Sequence, residues 1–138
     1  MSKFTIAALC GLMSVALPLA AAGQNKPSLR DVPQIENVLF AAAIGYEISE
    51  ICDSIAARRL KAIGRAWTLR SEANALGYSD AEIKAYVESD KEKARMRAKA
   101  EAYLKANGAV YGQPETFCAV GRAEIAKNSA TGALLRAK

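Results

Sequence analysis

An all-α fold is the class that the sequence predicts: a small four- to five-helix bundle, cross-linked by one disulfide, after an N-terminal signal peptide. Apolar residues recur at spacings of three and four along most of the chain, which is the pattern of amphipathic helices. Gly and Pro residues separate these segments where helices would begin and end. No segment after residue 22 shows a convincing strand run or hairpin turn.

The first 22 residues have the three parts of a secretory signal peptide. Lys3 gives a positive start, residues 4–17 form an apolar run, and the alanines at 20–22 provide a small-residue cleavage site. Polar and helix-breaking residues interrupt the run, so it does not match a permanent membrane anchor. We predict cleavage before Gly23 and export to the periplasm, with secretion beyond the cell as an open alternative.

The mature chain is long enough for one ordinary domain, because removal of the leader leaves 116 of the 138 residues. We expect a flexible mature N-terminus over residues 23–30 and a single helical domain over residues 31–138. The leader carries one charged residue, Lys3, so the net charge falls from +5 to +4. Such a mild charge on an exported protein argues against nucleic acid as a partner.

Two cysteines, Cys52 and Cys118, remain after Cys10 leaves with the leader. In an oxidising compartment such a pair is most simply one disulfide. A reactive thiol is the alternative, but the chain has no histidine and no C-x-x-C motif to activate one. Closing a loop of about 67 residues would stabilise the fold by roughly 4 kcal/mol in the chain-entropy model.

Helix start and stop signals divide the domain. Asp31 and Pro33 predict a first helix that begins near Val32, and apolar residues on two of its sides predict that it lies at the centre of the bundle. Asp53 or Ser54 is the predicted N-cap of the second helix, which should end near residue 77. The apolar residues of that helix recur at spacings of four, three and four, and they are Ala56, Leu60, Ile63 and Trp67, with Trp67 expected in the core.

The second half of the domain carries similar signals. Ser79 and Glu82 form a capping box that opens a third helix, and a like pattern at Ser89 predicts that this helix kinks or wraps around the bundle. Pro114 suits the start of a fourth helix, in which Gly121 predicts a close approach to another helix. Residues 129–138 form a tail that could dock through a last turn.

A cluster of cations on the second helix is the candidate interaction face. There is no acid between Asp53 and Glu72 to neutralise it. The face could bind an acidic protein, phosphate or lipid head groups, or it could be a solvated surface paired with the acidic first helix. A second basic run over residues 91–99 has the same two interpretations. The candidate face consists of Arg58, Arg59, Lys61, Arg65 and Arg70.

The sequence predicts no catalytic residue, no metal ligand and no cofactor site. Histidine is absent, both mature cysteines are assigned to the disulfide, and no phosphate-binding loop or nucleophile elbow is present. Two carboxylate pairs, Glu47 with Glu50 and Glu88 with Asp90, are the remaining acid/base candidates, and we interpret them as surface charge. An enzyme is therefore the least favoured class.

Four segments resemble a family of small exported alphaproteobacterial proteins that is classed as a domain of unknown function. They are residues 32–37 (VPQIEN), 77–83 (GYSDAEI), 93–99 (KARMRAK) and 117–125 (FCAVGRAEI). The resemblance implies a Gram-negative periplasm and supplies no activity, substrate or site residue.

The hypothesis that we favour is a periplasmic interaction or binding protein that presents its basic helix face to an acidic partner. One alternative is an acid-stress chaperone, by analogy with other small disulfide-bonded helical proteins of the periplasm. The other is peripheral binding to an anionic membrane surface. The sequence indicates no oligomeric state.

Overall fold

The computed structural model describes residues 25–138, and its fold is mostly helical, as the sequence predicts. No helix in this part of the chain is long and apolar enough to cross a membrane. The leader expected over residues 1–22 lies outside the described residues. The elements in chain order are a 3₁₀ turn (Leu29–Asp31), α1 (Pro33–Ile51), β1 (Ile55–Ala57), α2 (Arg59–Ala75), α3 (Asp80–Glu88), α4 (Asp90–Ala106), α5 (Pro114–Ala126), a second 3₁₀ turn (Gly132–Leu134) and β2 (Leu135–Ala137).

Helix α1 is the centre of the domain, as its two apolar sides predict. Val32 is its N-cap and Pro33 occupies its first turn. The helix contacts α2, α4, α5 and β1. Ile44 and Ile48 are buried in the main core, together with residues of α4 and α5. Burial of apolar side chains on several sides of one helix is the main source of stability in a domain of this size.

Most predicted helix ends are confirmed, because each rests on a local signal. The Ser79 side chain accepts a hydrogen bond from the Glu82 N–H, and the Glu82 carboxylate accepts one from the Ser79 N–H, which completes the capping box. The Ser89 side chain accepts a hydrogen bond from the Glu92 N–H and so caps α4. Ser89 also separates α4 from α3, so the expected kink is a break between two helices. Gly77 ends the preceding segment with a φ of +91°, a conformation that favours glycine.

A short strand pair replaces the predicted start of the second helix. Strand β1 pairs with β2 in antiparallel register, with Ala56 opposite Arg136, and the second helix begins at Arg59 with Arg58 as its N-cap. The expectation that Asp53 or Ser54 caps this helix is therefore wrong. The reason is that Ile55 is buried in the main core and that its strand partner lies near the other end of the domain, which local periodicity does not report.

The disulfide between Cys52 and Cys118 is present and joins the end of α1 to the first half of α5. Its S–S distance is 2.04 Å and the two Cα atoms are 5.2 Å apart. Gly121, one turn further along α5, allows the close approach that the sequence predicts. A Cβ atom there would lie 2.5 Å from Ile55 and 2.8 Å from Ile48.

A second, smaller core lies where the N-terminal segment meets the α2–α3 connection. Leu29 and Ile35 pack there with Leu69, Ala73 and Tyr78. The Tyr78 hydroxyl also donates a hydrogen bond of 2.6 Å to the Pro27 carbonyl oxygen. The packed part of the described chain thus includes residues that precede the predicted domain start at residue 31.

Candidate functional site

An open groove with a volume of about 920 Å³ lies beside the strand pair. Its walls are the C-terminal half of α1, strand β1, the first turn of α2 and the end of the chain around β2. We call it the basic groove, because five cationic side chains and one acidic side chain line it. The charged and larger lining residues are Tyr46, Ser49, Glu50, Arg58, Arg59, Leu60, Lys61, Arg136 and Lys138.

The β1–β2 pairing places Arg136 and Lys138 beside the three cations at the start of α2. The Arg58 N–H donates a hydrogen bond of 2.7 Å to the Leu134 carbonyl oxygen, and the Lys138 N–H donates one of 3.0 Å to the Ser54 carbonyl oxygen. These bonds flank the β1–β2 pairing and hold Arg136 next to the start of α2. Sequence reasoning missed Arg136 and Lys138, because only the non-local pairing reveals their position.

The predicted interaction face is divided by the fold. Arg58, Arg59 and Lys61 line the basic groove, whereas Arg65 forms an ion pair of 3.0 Å with Glu72 on the same helix. Arg70 binds Asp80 at the start of α3, with 2.9 Å between Nε and Oδ1. Arg65 and Arg70 are thus paired within the domain, but with acids of α2 and α3 and not with the acids of α1 that the intramolecular interpretation names.

The ion pair between Arg70 and Asp80 shifts the pKa values of both residues. The hydrogen bond from Arg70, with a second one from Asn74, lowers the pKa of Asp80 to about 2. The same contact with Asp80 raises the pKa of Arg70. Arg70 therefore has a partner within the domain, but both side chains are exposed, and an ion pair of this kind contributes little free energy.

None of the five cations of the basic groove forms an ion pair within residues 25–138. Glu50 is the one acidic side chain among the lining residues. Cations that share a groove repel one another, and an anionic ligand would relieve this repulsion. The arrangement can therefore hold carboxylates or phosphates through several charge-assisted hydrogen bonds.

An apolar stripe on α2 points to solvent, which corrects the prediction that Trp67 lies in the core. Leu60 is 87% exposed, Ile63 is 54% exposed and Trp67 is 62% exposed. The opposite side of α2 is the covered one, where Leu69 and Ala73 are buried. We call Leu60, Ile63 and Trp67 the outer stripe. It begins at the basic groove, because Leu60 belongs to both.

The second basic run, on α4, is largely paired with acids of the domain. Arg95 donates hydrogen bonds of 2.8 and 2.9 Å to the two oxygens of Glu36 on α1, and Lys99 donates one of 2.9 Å. Glu36 is buried, and the hydrogen bond from Arg95 is the largest of the effects that lower its pKa to about 2. These charges join α1 to α4, as the intramolecular interpretation expects.

Glu124 is a buried carboxylate that sequence reasoning did not single out. It is 2% exposed and accepts hydrogen bonds of 2.7 Å from the Tyr103 hydroxyl and 2.8 Å from Lys127 Nζ. Ser129 Oγ also donates to it. Burial alone would raise its pKa, but the bonds from Lys127, Ser129 and Tyr103 outweigh burial and lower it. Because residues of the domain supply these hydrogen bonds, we interpret Glu124 as a structural residue and not as part of a binding site.

The carboxylate pairs noted in the sequence lie at the surface of the domain. Glu47 accepts a hydrogen bond of 3.1 Å from Tyr111, and burial together with this bond raises the pKa of Tyr111 to about 12. Asp90 lies 3.8 Å from Lys93 on the next turn of α4. Within residues 25–138, no three Cys, Asp, Glu or His side chains are grouped so that they could hold a metal ion.

The geometry defines a small helical protein with one disulfide and a basic, partly apolar surface at the start of its second helix. The chain belongs to the family of unknown function DUF5333, whose family model matches residues 27–136. This match confirms the resemblance to a domain of unknown function. No curated protein and no solved structure is significantly similar to the chain.

Proposed function

We propose that the protein is a periplasmic interaction protein that binds an acidic partner through the basic groove. The observation that carries the proposal is the set of five cations around one cavity, contributed by the start of α2 and by the β2 segment. Carboxylates of a partner would pair with several of these cations at once. The proposal assigns the protein no reaction.

The contrast with the other cations of the domain supports this choice. Arg65, Arg70, Arg95 and Lys99 are held in ion pairs by acids of the same chain. The groove cations have no such partner among the described residues, although Glu47 and Glu50 lie on the nearby helix. Lys84, Lys91 and Arg97 also form no ion pair among the described residues, so the support comes from the gathering of five such cations around one cavity.

The periplasmic location is part of the proposal, and two observations support it. The first 22 residues have the composition of a cleaved signal peptide. The disulfide joins α1 to α5, and disulfides persist in oxidising compartments. If the protein is exported, the basic groove forms and binds its partner after the leader has been cleaved.

The direct test measures binding of a fluorescein-labelled, glutamate-rich peptide by fluorescence anisotropy. The groove variant carries Arg58→Glu, Lys61→Glu and Arg136→Glu. The control variant carries Lys84→Glu, Lys91→Glu and Arg97→Glu, three exposed cations outside the groove. Both variants change the net charge by the same amount, so long-range attraction changes equally in both.

We expect the wild type and the control variant to bind with similar affinity. The groove variant should bind more weakly by a factor of about ten or more. Binding should weaken as salt is raised, because the contacts are electrostatic. Circular dichroism checks that each variant is folded. The proposal fails if the control variant loses binding as much as the groove variant does, or if the wild type does not bind.

Peripheral binding to an anionic membrane surface is the second candidate, and the outer stripe favours it. Exposed Leu, Ile and Trp side chains beside cations are typical of surfaces that lie at a lipid interface. Sedimentation with phosphatidylglycerol vesicles at low and high salt tests this candidate. Binding to these vesicles that is absent from phosphatidylcholine vesicles, and that salt weakens, would support it.

A further inference from the structure

Helix α2 exposes one apolar side to solvent for about two turns. Leu60, Ile63 and Trp67 follow one another at spacings of three and four, which places them on one side of a helix. The other side of α2 is anchored by Leu69 and Ala73. Three large apolar side chains in a row, all more than half exposed, exceed what an isolated surface residue explains.

Cations border the outer stripe on both sides. At 100° per residue, Lys61 and Arg65 lie on one flank of the stripe, and Arg59 and Arg70 lie on the other. The guanidinium of Arg70 lies 5.4 Å from the centre of the Trp67 ring. No acidic residue occurs on α2 before Glu72. The surface is therefore an apolar strip bordered by cations. Arg65 and Arg70 are paired with Glu72 and Asp80, whereas Arg59 and Lys61 form no ion pair among the described residues.

Gly64 lies beside the outer stripe, between Leu60 and the Lys61 flank, and no described residue gives a reason for a glycine there. Gly64 is in the interior of α2, where glycine destabilises a helix relative to alanine. A Cβ atom at this position would meet no atom within 4 Å, and the φ of Gly64 is not positive. Gly121, by comparison, is required by the close approach of Ile48 and Ile55. If another molecule packed closely against α2 at this position, Gly64 would allow that approach as Gly121 does within the domain.

We infer that the outer stripe is a docking site for an amphipathic helix of an acidic partner, with the closest approach of the two helices at Gly64. The inference rests on the proposed function and specifies its partner. The spacing of Leu60, Ile63 and Trp67 matches the side chains that one helix presents to another. Carboxylates beside the apolar residues of the partner would face Arg59 and Lys61.

Two other occupants fit the surface less well. A second copy of the chain would bring the positive borders of two α2 helices against each other, and like charges in contact are unfavourable. Lipid binding would not require a glycine at position 64, because an apolar side chain there would add contact with lipid.

The protein contains its own reporter for this site, because Trp67 is its one tryptophan. The probe is a synthetic amphipathic peptide of about 14 residues, roughly four helical turns, with leucines at spacings of three and four and glutamates beside them. Covering Trp67 should shift its fluorescence to shorter wavelength. A peptide with lysines in place of the glutamates, and one with a central proline, test charge and helicity.

The decisive variant is Gly64→Leu, with Ala98→Leu on an exposed position of α4 as its control. Leucine is a better helix former than glycine, so the midpoint of thermal unfolding should rise. If a helix docks closely at position 64, the variant should bind the acidic helical peptide about tenfold more weakly. If the surface binds lipid, the same variant should bind phosphatidylglycerol vesicles more tightly.

We expect a Trp67 shift with the acidic helical peptide, a much smaller shift with the two control peptides, and weaker binding by Gly64→Leu but not by Ala98→Leu. The inference is overturned if Gly64→Leu binds the helical peptide as tightly as the wild type. It is also overturned if only vesicles, or an increase in protein concentration, shift the Trp67 emission.

The outcomes separate this inference from the proposed function. If the extended glutamate-rich peptide binds the basic groove while the helical peptide leaves Trp67 emission unchanged, the proposed function stands and the helix-docking inference is wrong. If neither peptide binds the wild type, both are wrong. If the helical peptide binds and loses affinity only in Gly64→Leu and the groove variant, both are supported.

Discussion

Backbone atoms of α5 leave no space for a side chain at Gly132. A Cβ atom there would lie 1.9 Å from the carbonyl oxygen of Glu124 and 2.7 Å from the backbone nitrogen of Ile125. Both atoms belong to the backbone at the end of α5, which cannot rotate away. The residue therefore fixes the turn that leads from α5 to the β2 strand.

We expect Gly132→Ala to lower the free energy of unfolding by about 3 kcal/mol, because the added carbon overlaps backbone and not a movable side chain. Urea unfolding followed by circular dichroism measures the effect. Gly64→Ala is the matched control, and it should raise the free energy of unfolding by about 1 kcal/mol, since its Cβ meets nothing. Similar effects of the two changes would contradict this reading of Gly132.

Helix α4 is joined to α1 by charge as well as by apolar packing. Arg95 binds both oxygens of Glu36 and also donates a hydrogen bond of 2.9 Å to Glu92. Arg30 contacts the other oxygen of Glu92, so the 3₁₀ turn is attached to the same network. Breaking a buried pair leaves a charge without its partner, which destabilises more than the pair itself stabilises.

We expect Glu36→Gln to lower the free energy of unfolding by roughly 2–3 kcal/mol at pH 7. The pKa of Glu36 is about 2 in the fold, below its ordinary value of 4.5. Its stabilisation is therefore complete above pH 4.5 and is lost as the pH falls from 4.5 towards 2. Urea unfolding at pH 7 and pH 3 should show the wild type and the variant converging. Glu88→Gln, at an exposed position, should have little effect at either pH.

This pH dependence bears on the chaperone alternative. Glu36, Asp80, Glu82 and Glu124 all have lowered pKa values, so they remain charged and paired in mild acid. We expect binding of a hydrophobic dye to stay constant between pH 7 and pH 4.5. A chaperone that is switched on by mild acid would instead expose apolar surface in this range.

Helix boundaries could be predicted from the sequence because their causes are local. Ser79, Ser89 and Pro114 act within one turn of their own positions, and the structure places helix starts at each of them. The strand pair could not be predicted, since Ile55 and Ala137 are far apart in the sequence and local patterns do not report their pairing. Arg136 was left out of the predicted interaction face for the same reason, because only this non-local pairing places it beside α2.

Periodicity identified α2 as amphipathic but not which of its sides is covered. The regular spacing of Leu60, Ile63 and Trp67 predicted a core face, whereas the covered side contains the less conspicuous Leu69 and Ala73. A hydrophobic pattern reports that one face prefers an apolar environment. It does not report whether that environment belongs to the same chain.

At the scale of the whole molecule, the disulfide connects the central helix to the last one. Cys52 follows α1 directly and is fully buried, and Cys118 lies within α5. The loop that it closes contains α2, α3 and α4. Its loss would leave α5 held by apolar packing and by the hydrogen bonds around Glu124.

We expect the double variant Cys52→Ala, Cys118→Ala to lose roughly 2–4 kcal/mol of stability and to loosen α5 first. Hydrogen exchange followed by mass spectrometry should show faster exchange in residues 114–126 than in residues 33–51. Equal acceleration throughout the domain would mean that the disulfide acts only on the unfolded chain.

The β1–β2 pairing also fixes when the binding surface comes into existence during biosynthesis. Arg136 is synthesised about 80 residues after Arg58, Arg59 and Lys61, which it accompanies in the basic groove. At typical rates of 5–20 residues per second, the ribosome needs roughly 4–16 seconds to reach it. A partially translated chain therefore lacks the complete groove, so the proposed binding site exists only once the β2 segment has been synthesised.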